Sequence, residues 1–132
     1  MTLSGADPMK KHILIVEDNH IAQLTEKAIL ENEGLIVDCA ESGELALSLI
    51  EKSHYDLILM DLGLPGIDGI ETTKTIRAYE AKNKMVSVPI VAVTGNADPS
   101  QHKLCTEVGM NAVIVKPLSL ANAKSLVSNY LH

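Results

Sequence analysis

Residues 55–69 read YDLILMDLGLPGIDG, and this stretch decides the fold. Tyr55–Met60 is a short apolar run of strand length. It lacks the polar alternation of a half-solvated strand, so it reads as a strand covered on both faces. The run stops at Asp61. Leu62–Gly69 then holds three glycines and one proline, which marks a loop. A helix is expected from about Ile70 to Ala81, with Glu71, Lys74 and Arg77 on its polar face.

The same grammar repeats on either side. Upstream, Lys11–Val16 (KHILIV) is a first buried strand, ending in Glu17 and Asp18. Asn19 can cap a helix carrying Ile21, Leu24 and Ala28 at helical spacing, and Gly34 ends it. Leu35–Cys39 is a second strand. Ser42 opens a second helix with Leu45, Ala46, Leu49 and Ile50 as its apolar stripe. Downstream, Pro89–Val93 is a fourth strand, ending at Thr94. Pro99 suits the first turn of a helix to Val108, in which Leu104 and Val108 share a face. Ala112–Val115 is a fifth strand, ending at Lys116-Pro117. The last helix carries Leu120, Ala123, Val127 and Leu131. Asp68 reads as a loop or capping residue before the third helix.

Five buried strands alternating with five helices predict an α/β fold. It is a doubly wound, five-stranded parallel sheet with helices on both faces. Right-handed crossovers leave few topologies, and the flavodoxin-like strand order 2-1-3-4-5 is expected. One domain spans 11–132. Residues 1–10 read as a flexible tail or cloning remnant.

In such a sheet, ligands bind outside the carboxyl ends of the strands. Strand one brings Glu17 and Asp18 there, strand three Asp61, strand four Thr94 and strand five Lys116. Strand two, at the edge, brings only Cys39-Ala40. Each of these residues has an ordinary reading alone: charges at a helix start, a turn acid, a loop hydroxyl, a solvated lysine. Their joint placement at neighbouring strand ends points to one site. Three carboxylates together repel and call for a cation, and hard oxygen ligands suit Mg²⁺ or Mn²⁺. Asp61 would be the nucleophile that forms an acyl phosphate. Lys116 would offset charge on one phosphoryl oxygen, and the Thr94 hydroxyl would bond another.

The segments ILIVEDN, LILMDLGLPGIDGIE, VPIVAVTG and VIVKPL, in that order, make the chain resemble the receiver (response regulator) family of two-component signalling from about His12 to Leu131. The resemblance implies phosphorylation at Asp61 by a phosphohistidine of a histidine kinase or histidine phosphotransfer domain. It implies Mg²⁺ held by Asp18, Asp61 and the Gly63 carbonyl, with Glu17 acting through a bound water. It makes Thr94 the switch hydroxyl, Lys116 the phosphate-sensing lysine and the Lys116-Pro117 bond cis. GIETTKTIR and the Gly109–Pro117 stretch look most like receivers attached to hybrid histidine kinases. Two positions depart from the family. Val113 replaces an aromatic that is often coupled to the threonine, and Gly63 replaces a longer side chain beside the acceptor.

Composition narrows the alternatives. Eleven basic against seventeen acidic residues give a net charge of −6, and no basic run stands out, so this domain alone is not expected to bind nucleic acid. No apolar run is long enough to span a membrane, and a cytoplasmic location is expected. Hydrophobic residues make up 46 % but aromatics only 2 %, so the core must be aliphatic. Cys39 and Cys105 read as small apolar residues, and Met60, Met85 and Met110 as packing. Tyr55, Tyr79 and Tyr130 are expected to present polar tips at the surface. None of the five histidines pairs at metal-ligand spacing, and His20 is expected to be exposed. Two other functions compete. A haloacid-dehalogenase-like phosphohydrolase would want a second Asp where Gly63 stands, and a phosphorylation-independent interaction module would not need the acidic cluster. Dimerisation is left open.

Overall fold

The computed structural model describes residues 10–96 and 98–131; most of the expected N-terminal tail (1–10) and His132 lie outside them. The strands are β1 (His12–Val16), β2 (Ile36–Ala40), β3 (Leu57–Asp61), β4 (Ile90–Thr94) and β5 (Ala112–Val115). The helices are α1 (His20–Glu31), α2 (Gly43–Lys52), α3 (Gly69–Lys82), α4 (Pro99–Glu107) and α5 (Leu120–Tyr130). All pairings are parallel and the order is β2-β1-β3-β4-β5, as expected. The β5 bounds and the start of α4 fall where expected, and other boundaries shift by one to three residues.

Period-two alternation divides each central strand between two cores. Leu14, Val16, Ile58, Met60, Ile90 and Ala92 face one layer, packed with Ala46 of α2, Ile76 of α3 and Cys105 of α4. Ile13, Ile15, Leu57, Leu59, Val91 and Val93 face the other, with Leu30 of α1 and Ala123 and Leu126 of α5. Each fully buried Leu or Ile contributes about 1.5–3 kcal/mol of transfer free energy. An aliphatic core therefore suffices without Phe or Trp.

The helix starts follow local chemistry. Asn19, Ser42, Asp68, Asp98 and Ser119 each accept a hydrogen bond from a first-turn amide, and Pro99 stands at the start of α4. Gly69 is required by packing: a Cβ there would lie 2.4 Å from the Asp61 carbonyl oxygen. The bare backbone lets α3 begin directly against the end of β3.

Several predicted faces are rotated. In α1 the expected stripe is largely on the outside: Ile21 is 76 % and Leu24 60 % exposed, and Ala28 is exposed too. The buried face carries Gln23, Glu26 and Leu30. Its register is set where Gln23 donates through Nε2 to the Glu17 carbonyl, closing the turn after β1. Leu45, Leu104 and Leu120 are also exposed members of predicted stripes. Met60 and Met110 are buried, whereas Met85 is half exposed on the connector after α3. Tyr55 corrects the expectation of a surface tip. It is buried, and its hydroxyl donates to Asp38 Oδ2 at 2.7 Å, the neighbouring edge strand supplying the acceptor that water would otherwise provide. Cys105 is buried, Cys39 partly so, and neither forms a disulfide.

Candidate functional site

Sheet register builds the site. Val16 pairs with Met60, so the residues that follow, Glu17 and Asp61, leave adjacent strands side by side. Asp61 pairs with Val93, and Thr94 with Val115, which places Thr94 and Lys116 on the other flank. Carboxylate oxygens of Glu17, Asp18 and Asp61 lie within 4.8 Å of one another. Lys116 Nζ sits 2.8 Å from Glu17 Oε1 and 3.5 Å from Asp61 Oδ1. The Lys116-Pro117 bond is cis, as the resemblance implies.

Burial makes this arrangement costly. Glu17 is 1 % and Asp61 7 % exposed, while Asp18 is open to solvent. Burial pushes the Glu17 carboxyl above the usual range; the Lys116 and Asn19 bonds oppose this and Asp61 adds to it. Burial would lower Lys116, but its contact with Glu17 and the charges of Asp61 and Glu17 prevail and hold it above the ordinary lysine value. One cation thus serves two buried carboxylates, with a third, Asp18, beside them.

The Asn19 amide donates to Glu17 Oε2 at 3.1 Å, but Glu17 Oε1 is fully buried without a well-formed hydrogen bond, despite the nearby ammonium. A buried carboxylate oxygen with only the Lys116 ammonium near it, beside two more carboxylates, fits a divalent cation with oxygen ligands. Gly63 lies on the open side: a Cβ there would meet nothing nearer than Asp61 Oδ1 at 4.0 Å, so the approach to the acceptor is unobstructed.

Thr94 is buried on the far flank. Its hydroxyl donates to Gln101 Oε1 at 3.4 Å and accepts from the Asn96 amide at 3.2 Å. Beside it, Val113 leaves a cavity of about 70 Å³ that Gln101 and His102 of α4 also line. His20 is exposed.

All five predicted side chains therefore converge. Two contributors escaped the sequence reading. Gln23 anchors the Glu17 backbone and Gly69 packs on the Asp61 carbonyl. Glu26, a buried acid on α1, feels the cluster's charges but makes no hydrogen bond or ion pair with it. Asp68-Gly69 at a helix start was a visible sign of the second. Gln23 and Glu26 looked like ordinary polar helix positions.

The chain matches the response regulator receiver domain family over residues 13–128. It is 37 % identical over 117 residues to hybrid signal transduction histidine kinase M of Dictyostelium discoideum, covering 87 % of this chain and 5 % of that protein. The chain spans between 5 % and 16 % of the length of the curated relatives it most resembles. Among solved structures, the receiver domain of sensor histidine kinase PA1611 from Pseudomonas aeruginosa PAO1, with magnesium in its active-site cleft, superposes with TM-score 0.81 and 36 % identity over 92 % of this chain and 97 % of that one. A co-crystal structure of the Saccharomyces cerevisiae phosphotransfer protein Ypd1 with the receiver domain of Ssk1 matches with TM-score 0.84 and 31 % identity, covering 92 % of this chain and 88 % of that one. With the strand order, the acidic cluster and the family match in agreement, the chain belongs to the response regulator receiver domain family.

Proposed function

We propose that this receiver domain takes a phosphoryl group from a phosphohistidine onto Asp61. The observation that carries the reading is one buried carboxylate flanked by two others and by a lysine at 3.5 Å. An Asp61 carboxylate oxygen attacks phosphorus, the P–N bond breaks, and its electron pair leaves with the imidazole. Asp18, Asp61 and the Gly63 carbonyl would hold Mg²⁺, with Mn²⁺ as a second candidate, and Glu17 would support it through a water. When bound, the cation offsets charge between the carboxylate and the anionic donor. Lys116 balances charge on a phosphoryl oxygen, and the Thr94 hydroxyl exchanges its Gln101 bond for another.

The donor is a histidine kinase or histidine phosphotransfer domain, in keeping with the histidine-kinase relatives and with the Ssk1 receiver that was crystallised with a phosphotransfer protein. The relatives also favour a receiver from a hybrid histidine kinase; a cytoplasmic location belongs to the same reading. No helix among the described residues is long and apolar enough to cross a membrane. The acid balance favours a partner other than nucleic acid. The phosphohydrolase reading loses support at Gly63, which offers no acid/base side chain next to Asp61.

Incubation with Mg²⁺ and acetyl phosphate, followed by intact mass, tests this. One phosphoryl adduct is expected on the wild type and none on Asp61→Ala. No adduct on the wild type, or the same adduct on the variant, would contradict it. The open side at Gly63 carries a second expectation: Gly63→Asn changes the lifetime of the adduct several-fold, and equal decay rates would remove any role for this position.

A further inference from the structure

Glu26 sits on the inner face of α1, 5 % exposed, with no hydrogen bond or ion pair among the described residues. An unpaired buried carboxylate is costly. Burial, and after it the charge of Glu17, pushes it up to about 7; Lys116 opposes this and Asp61 adds a smaller push. Among the described residues, no hydrogen bond or ion pair of the fold uses Glu26.

Glu26 lines a groove of about 310 Å³, together with Ile21, Ala22, Thr25, Lys116, Pro117 and Leu118. The groove thus has largely apolar walls and an acid set within it. Lys116 lines it and also reaches Asp61, so it adjoins the phosphorylation site. A protein that brings a histidine ring to Asp61 covers this rim. Its flank on α1 is apolar and exposed through Ile21 and Leu24.

We propose that this groove receives a lysine or arginine side chain of the phosphohistidine donor, its alkyl stem against Ile21, Pro117 and Leu118 and its cationic head on Glu26. The chemistry fits on both counts. Long cationic side chains bury their methylenes on apolar walls and carry the charge to the end. A carboxylate already desolvated binds such a head more strongly than a solvated one, because its dehydration cost has been met on folding. This assignment rests on the phosphohistidine-donor reading and adds the recognition contact.

The test compares two donors on wild type and Glu26→Gln. Acetyl phosphate reaches Asp61 without filling the groove; phosphorylated yeast Ypd1, the probe protein, must cover the rim. Glu26→Gln should take phosphate from acetyl phosphate at the wild-type rate. It should accept from Ypd1 about tenfold less efficiently, with the loss in KM rather than in the maximal rate. n-Butylguanidinium, a free stand-in for the side chain, should slow Ypd1 transfer to the wild type and not to the variant. Equal Ypd1 transfer to both proteins would overturn the proposal, as would no Ypd1 transfer to a wild type that acetyl phosphate labels. Equal losses from both donors would also overturn it, placing Glu26 inside the reaction through Lys116. Failure of acetyl phosphate to label the wild type would instead count against Asp61 as acceptor.

Discussion

Both ends of the sheet carry clustered acids, and the two clusters are built in opposite ways. At the amino end each carboxylate has its own partner. Glu80 is buried, yet its oxygens take Arg77 Nη1 at 2.8 Å and the Val88 amide at 2.7 Å. Asp56 takes the His12 amide at 2.9 Å and lies 3.0 Å from His54 Nε2. Asp38 takes the Tyr55 hydroxyl. At the carboxyl end, Glu17 and Asp61 share Lys116, and Asp18 adds a third carboxylate with no cation of its own. Acids with individual partners are scaffold. Acids that share one cation hold charge for something that arrives later.

The largest expected effect separates the ends outright. Asp61→Asn should abolish phosphoryl acceptance while leaving the fold as stable or more so, because it removes one of several repelling charges. Adduct mass and a urea melt check the two halves together. A variant that lost activity because it unfolded would break the comparison, since Asp61 would then be scaffold.

Glu80→Ala should do the reverse. It strands Arg77 and the Val88 amide, and breaking a buried pair by removing one member costs about 3 kcal/mol. Urea unfolding should show that loss, while the folded fraction still accepts phosphate from acetyl phosphate. Arg77 also donates to the Gly109 carbonyl at 2.8 Å, which ties α3 to the segment before β5 and explains why this end tolerates no loose charge.

Lys116→Ala is a sharper probe of the shared cation. Without Mg²⁺ it leaves Glu17 buried with no counter-charge and should destabilise the chain by about 1–2 kcal/mol. Mg²⁺ should recover most of that, so the metal-dependent rise in Tm becomes larger in the variant than in the wild type. A smaller rise would mean that the lysine and the cation do not share ligands.

The contrast between the two ends was only half legible beforehand. Strand order and the acid, hydroxyl and lysine at the strand ends follow from run length and from where each run stops. Parallel pairing then forces those residues together. The partnered acids did not show, because Glu80 with Arg77 and Tyr55 with Asp38 meet through tertiary packing. Helix rotation was legible only in part. In α1 the spacing of Ile21, Leu24 and Ala28 and that of Gln23, Glu26 and Leu30 are equally helical, and hydrophobicity alone favours the face that lies outside. The polar face is turned inward because Gln23 binds the turn carrying Glu17. Residues that serve a site break the pattern used to find a core.

Glu26 is the acid that crosses this division, buried like Glu80 and unpartnered like the site. Its carboxyl is held up to about 7 in the folded chain, first by burial and then by the charge of Glu17. The unfolded chain releases that proton near the ordinary glutamate value. Between the two values the folded state binds more protons, so stability falls as pH rises through this window. Below it both states are protonated and the penalty is absent. Glu26→Gln removes the titration, and should therefore be stabilising by about 1 kcal/mol at pH 8, after allowance for solvent near the groove, and close to neutral at pH 4. Urea melts of both proteins across that range, with chelator present, read the difference directly. A gain that does not depend on pH would show that Glu26 is held by packing and carries no charge penalty. A loss at pH 8 would show that the carboxylate has a partner within the chain, which would move it to the scaffold side with Glu80.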